Sequence, residues 1–205
     1  MDLPLAAMSL GAPGPLDLAL PPQQTAPLVF ASPHSGRDYT DAFLGLARLA
    51  PAALRRSEDC FVDELFAAAP AHGAPLLAAR FPRAWCDANR EAWELDPAMF
   101  ADPLPPWVNT ASPRVGAGLG TLARVVASGE AIYRDKLRFA EAKVRVAECW
   151  QPFHDALRSL IDATRLRFGT CLLIDCHSMP AVLPTGRAGA DVVLGDAHGT
   201  ACLPR

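Results

Sequence analysis

The sequence predicts an α/β fold, a layered domain around a mostly parallel sheet, and three observations carry that prediction. Short apolar runs alternate with helical patterns, the runs lack the apolar-polar alternation of a half-exposed strand, and two of them pass straight into a His-Ser pair. Cys171-Leu172-Leu173-Ile174 continues into Asp175-Cys176-His177-Ser178-Met179-Pro180, and a run of this kind reads as a strand buried on both faces. Its polar tail falls at the carboxyl end, where open α/β sheets place their sites. Leu28-Val29-Phe30-Ala31-Ser32 repeats the pattern into Pro33-His34-Ser35-Gly36, so His34 and His177 are expected to converge above one end of the sheet.

The remaining elements follow in chain order. Residues 1–26, rich in Pro, Ala and Leu and broken at Pro21-Pro22, read as a loosely structured lead-in. Residues 27–205 read as one domain, because a 205-residue chain with 51% hydrophobic content suits a single core. Gly36 permits a tight turn into a helical segment that should reach about Leu49. Ser57 should cap an amphipathic helix carrying Phe61, Val62, Leu65 and Phe66 and closed by His72-Gly73. Pro75 to Ala79 reads as the next strand, and the Pro- and Gly-rich stretch from Pro103 to Gly120 as an irregular rim. A long helix is expected from about Tyr133 to Phe168, kinked at Pro152 and capped by Gly169, with His154 held by a structural hydrogen bond. Pro184 to Gly189 reads as a flexible loop and Asp191 to Asp196 as another short strand.

Composition narrows the function classes. A net charge of −3, with 19 Lys and Arg spread along the chain, provides no basic stripe for nucleic acid. No apolar run approaches the roughly 20 residues of a membrane span, and Met1-Asp2-Leu3-Pro4 lacks the positive start of a signal peptide, so a cytoplasmic protein is expected. Cys60, Cys86, Cys149, Cys171, Cys176 and Cys202 are scattered without metal-cage spacing and read as free thiols.

Two imidazoles and one acid, Glu58, Asp59 or Asp63, would provide the three protein ligands that catalytic Zn2+ takes alongside a water. The three acids also suit a helix N-terminus as plain favourable charge. Ser35, Ser178 and Cys176 sit beside histidines, but neighbours on a strand face opposite ways and no GxSxG turn is present, so a nucleophilic triad is the weaker reading. Arg80, Arg83 and Arg90, with Asn89, crowd the region after the Pro75 to Ala79 strand and suit either bidentate capture of a carboxylate or a place as solvated surface charges.

Several motifs, in order, resemble the N-formylglutamate amidohydrolase family. They are Ser32-Pro33-His34-Ser35-Gly36-Arg37; Asp59 with Val62-Asp63-Glu64-Leu65; Asp87-Ala88-Asn89-Arg90; Gly118-Leu119-Gly120; Arg124-Val125-Val126 with Ile132-Tyr133; Asp175-Cys176-His177-Ser178-Met179-Pro180; and Leu194-Gly195-Asp196. The resemblance implies a zinc carboxypeptidase-like (phosphorylase/hydrolase-like) three-layer sandwich around a mostly parallel or mixed sheet. It also implies zinc-dependent cleavage of N-formyl-L-glutamate, or a related N-acyl acidic amino acid, to formate and glutamate in histidine breakdown. Carried over to matching positions, it makes His34 and His177 metal ligands, with Asp59, at the family's acidic position, as the third and Asp63 one turn later as the alternative. Asn89 and Arg90 would hold a substrate carboxylate with Arg83 as a partner. The family's general-base Glu belongs to a segment beyond Arg205, so no catalytic acid or base is assigned within the chain. On this resemblance the chain reads as C-terminally truncated, and the alternative to an active hydrolase is an inactive member that retains metal or ligand binding.

Overall fold

The computed structural model describes residues 14–179, 189–196 and 199–201. Four strands form one mixed sheet in the order β1-β3-β2-β4: β1 (Leu16–Ala19), β2 (Leu28–Ser32), β3 (Leu76–Ala79) and β4 (Leu172–Asp175). β2 runs parallel to both β3 and β4, while β1 is antiparallel to β3. β1 lies inside the stretch expected to be loosely structured. It is a strand because Leu16 to Ala19 pair with Ala79 to Leu76, which satisfies the outer backbone edge of β3.

Six α-helices lie among the described residues: α1 (Asp41–Leu46), α2 (Pro51–Leu54), α3 (Val62–Leu65), α4 (Pro113–Gly116), α5 (Phe139–Arg145) and α6 (Gln151–Phe168). α1 starts where the Thr40 hydroxyl accepts the Phe43 N–H. It stops short of Leu49 because Ala47 bridges Tyr133. That bridge also delays the long helix, which begins at Phe139. A π-helical turn, Val146–Trp150, joins α5 to α6 just before Pro152, whose missing N–H and ring disrupt regular α bonding there, and Gly169 ends α6 at φ 74°.

The helix expected from Ser57 is broken. Ser57 closes a 3-10 turn, Arg55–Ser57, and its hydroxyl accepts the Ala127 N–H instead of capping a helix. The Asp59 N–H is committed to the His34 carbonyl at 3.1 Å, which draws the chain out of helical geometry. Phe61 then turns at φ 63°, and α3 follows as a single turn with Phe61 and Leu65 exposed rather than on an apolar face.

One sheet face presents Ala31, Leu77 and Ala79 to Cys149 and Phe153, with Leu157 and Leu160 of α6 packed beside them. On the other face the Phe30 ring meets Phe66 at 5.7 Å between centroids. β4 is not buried on both faces as expected: Leu172 is 50% and Leu173 38% exposed. It is an edge strand bonded through β2, and α6 packs over β2 and β3. Residues 191–196 form no strand, and Val193 and Leu194 are exposed, since no described strand offers their backbone a partner.

The five cysteines in the described residues are free thiols. Cys202, most of the Pro184 to Gly189 loop and residues 1–13 lie outside the described residues. Among the described residues no helix is long and apolar enough to cross a membrane.

Candidate functional site

The parallel pairing of β2 with β4 sets Ala31 opposite Asp175, so the residues that follow, His34 and His177, leave the sheet side by side. Their ring centroids are 4.9 Å apart. The two imidazoles expected to converge do so in this geometry. Gly36 lets the His34 turn lie against the end of β3, where an added methyl would collide with the Phe81 carbonyl oxygen, and the Asp38 N–H bonds the Arg80 carbonyl at 3.0 Å. Asp59 arrives from the broken helix, fixed by its backbone bond to His34.

Asp59 is the acid that reaches the histidines. Its Oδ2 lies 2.8 Å from His177 Nδ1 and 3.4 Å from His34 Nδ1, and its Oδ1 accepts the Ser178 hydroxyl at 3.2 Å. Glu58 is engaged by Arg55 and Cys60, and Asp63 by Arg37. The potential ligand atoms of His34, Asp59 and His177 all lie within 4.8 Å of one another. His34 is 2% exposed, and its Nδ1 is buried with no hydrogen-bond partner. Its Nε2 meets Asp87 Oδ1 at 2.7 Å, which leaves Nδ1 as the nitrogen turned toward the cluster. A buried, unpartnered ring nitrogen beside a carboxylate and a second imidazole fits a divalent ion.

Neighbouring charges set how the cluster ionises. Burial resists ionisation of Asp59, yet the His177 hydrogen bond and the neighbouring His34 ring hold its carboxyl well below the usual range. Asp87 likewise overcomes its burial through His34, Arg83 and Arg90 and falls to about 2. His177 faces Asp175 through Nε2 at 2.9 Å and Asp59 through Nδ1, and these two acids push it up to about 9 against burial.

The three residues expected to bind substrate gather beside this cluster in different ways. Asn89 is closest, with Nδ2 3.0 Å from Asp175 Oδ2 and 3.1 Å from His177 Nε2. Arg83 Nε bonds Asp87 Oδ2 at 2.9 Å. Arg90 donates to the carbonyls of Leu119 and Asn89, tying the Asn-Arg segment to the Gly118-Leu119-Gly120 turn. His154 behaves as expected of a structural histidine, bonding the Ala88 carbonyl at 2.8 Å while stacked on Trp150.

Asp87 and Asp175 had no role in the sequence reading. Both carried a usable signal, since Asp175 precedes His177 by the two-residue step that shares a strand face, and Asp87 opens the motif that contains Asn89 and Arg90.

A sequence profile described as N-formylglutamate amidohydrolase matches residues 26–205. An N-formylglutamate deformylase from Pseudomonas putida is 30% identical over 190 residues, covering 89% of this chain and 63% of that protein. The chain thus spans less than two thirds of that relative's length. The crystal structure of N-formylglutamate amidohydrolase from Ralstonia eutropha JMP134 superposes with a TM-score of 0.83 at 38% identity, over 93% of this chain and 69% of that one. An Agrobacterium tumefaciens gene product shares the fold at a TM-score of 0.53 and 18% identity, over 86% and 61% of the two chains.

Proposed function

The chain belongs to the N-formylglutamate amidohydrolase family, and from that premise we propose that it is a zinc-dependent hydrolase releasing formate from N-formyl-L-glutamate. The observation that carries the reading is the buried, unpartnered Nδ1 of His34 facing Asp59 and His177. Two imidazoles and a carboxylate suit Zn2+ and leave a position for water.

His34, Asp59 and His177 would hold the ion, which when bound supplies an acidified water and polarises the formyl carbonyl. Asp87 keeps Nε2 of His34 occupied so that Nδ1 stays turned inward. Asn89 at the edge of the cluster offers its amide to a substrate carboxylate, and Arg83 and Arg90 contribute the positive potential that draws a dianionic amino acid to the site. The reading extends to a zinc carboxypeptidase-like sandwich, and the free thiols support a reducing compartment such as the cytoplasm.

The test is formate release from N-formyl-L-glutamate by the purified chain, with zinc content measured on the same sample. Turnover that disappears with a chelator and in His34→Ala is the expected result. Turnover indifferent to both overturns the metal mechanism, and zinc binding without formate release overturns the hydrolase and leaves a metal-binding chain.

A further inference from the structure

We propose that Asp175 is a positioning residue for His177, holding the ring so that Nδ1 rather than Nε2 faces the cluster; this rests on the metal reading above. Asp175 Oδ2 lies 2.9 Å from His177 Nε2, while Nδ1 of the same ring faces Asp59 Oδ2 at 2.8 Å. The arrangement repeats that of His34, whose Nε2 meets Asp87 and whose Nδ1 faces Asp59. Each ring is thus gripped at its outer nitrogen by an acid and offers its inner nitrogen to the shared carboxylate. An imidazole whose outer N–H is given to a carboxylate is fixed in orientation and becomes a stronger donor at the inner nitrogen.

The two supports differ in setting. Asp87 is buried and braced by Arg83, whereas the Asp175 side chain is 41% exposed and its second partner is the Asn89 amide at 3.0 Å. Asn89 is also 3.1 Å from His177 Nε2, and once that nitrogen donates to Asp175 the amide hydrogen has the same carboxylate oxygen as its acceptor. Asp175 therefore links the ring to the Asn89-Arg90 segment and acts through His177 rather than on substrate.

Zn2+ affinity, read by competition with a chromophoric chelator, tests the role in wild type, Asp175→Ala, Asp175→Asn and His177→Ala. Asp175→Ala is expected to bind Zn2+ roughly 10–100-fold more weakly, with Asp175→Asn in between because its carbonyl still accepts the N–H. In the zinc-loaded chain, nitrogen-proton correlation spectra should show a slowly exchanging His177 Nε2–H that is lost in Asp175→Ala and kept in Asp175→Asn, which a general loss of packing would not produce. Should Asp175→Ala fail to fold, the near-isosteric Asp175→Asn carries the test through its weakened affinity. Unchanged affinity and an unchanged Nε2–H signal in Asp175→Ala, with binding lost in His177→Ala, overturn this inference alone. Unchanged affinity in His177→Ala overturns the metal reading beneath it.

Discussion

His34 Nε2 and Asp87 Oδ1 lie 2.7 Å apart with each side chain only 2% exposed, so the pair is sealed from water on the inner side of the site. Truncation of Asp87 leaves His34 free to turn and removes a partner of Arg83. Asp87→Ala is expected to weaken zinc binding and formate release by about 10–100-fold. Asp87→Asn, which keeps an acceptor oxygen, should lose less. Chelator competition and initial rates check this ranking, and equal losses in the two variants would show that shape, not hydrogen bonding, is what Asp87 provides.

Gly36 gives a second prediction. A methyl there would run into the Phe81 carbonyl oxygen and the Arg80 backbone, so the His34 turn would have to lift off the end of β3. Gly36→Ala should cost about 1–3 kcal/mol as an overpacked site and reduce zinc affinity by displacing His34. Urea denaturation with and without Zn2+ measures both effects. A variant as stable as wild type would mean that the turn relaxes freely.

The parallel sheet core was legible because its strands are short, apolar and punctuated, and the convergence of His34 and His177 followed from the shared ends of β2 and β4. β1 was not, because Leu16-Asp17-Leu18-Ala19 becomes a strand only by pairing with β3, and a partner far along the chain leaves no local mark. The Ser57 helix misled for a related reason. Its spacing favours an amphipathic helix, but the bond from the Asp59 N–H to the His34 carbonyl and the turn at Phe61 override that local preference. Local pattern also suggested that β4 is covered on both faces, whereas its place at the sheet edge is a property of strand order.

Phe61 is the one non-glycine residue among those described with positive φ, at 63°, and it is 52% exposed with Arg37 above its ring at 5.7 Å. A left-handed conformation costs an ordinary side chain roughly 1–2 kcal/mol, and the exposed ring recovers little of it by burial. Phe61→Asn should therefore be neutral or stabilising. Phe61→Val should destabilise, since a β-branched residue tolerates positive φ worst. Thermal midpoints of the three proteins give the order directly, and Val above Asn would contradict the backbone argument.

The last prediction concerns alkaline pH and lies away from the metal cluster. Burial pushes the Cys149 thiol up to about 11, from 9.0 in an exposed chain. The sign follows from proton binding: the folded state holds the proton more tightly, so the contribution is complete below pH 9.0 and is lost as pH rises through about 11. At about pH 10.5 the loss is about 2 kcal/mol. Urea midpoints under reducing conditions at about pH 8 and about pH 10.5 should fall more for wild type than for Cys149→Ala. The variant keeps part of the slope because Cys86, fully buried beside the same core, is also pushed well up. Parallel declines in the two proteins would place the alkaline loss elsewhere and show that the Cys149 thiolate is accommodated in the folded state.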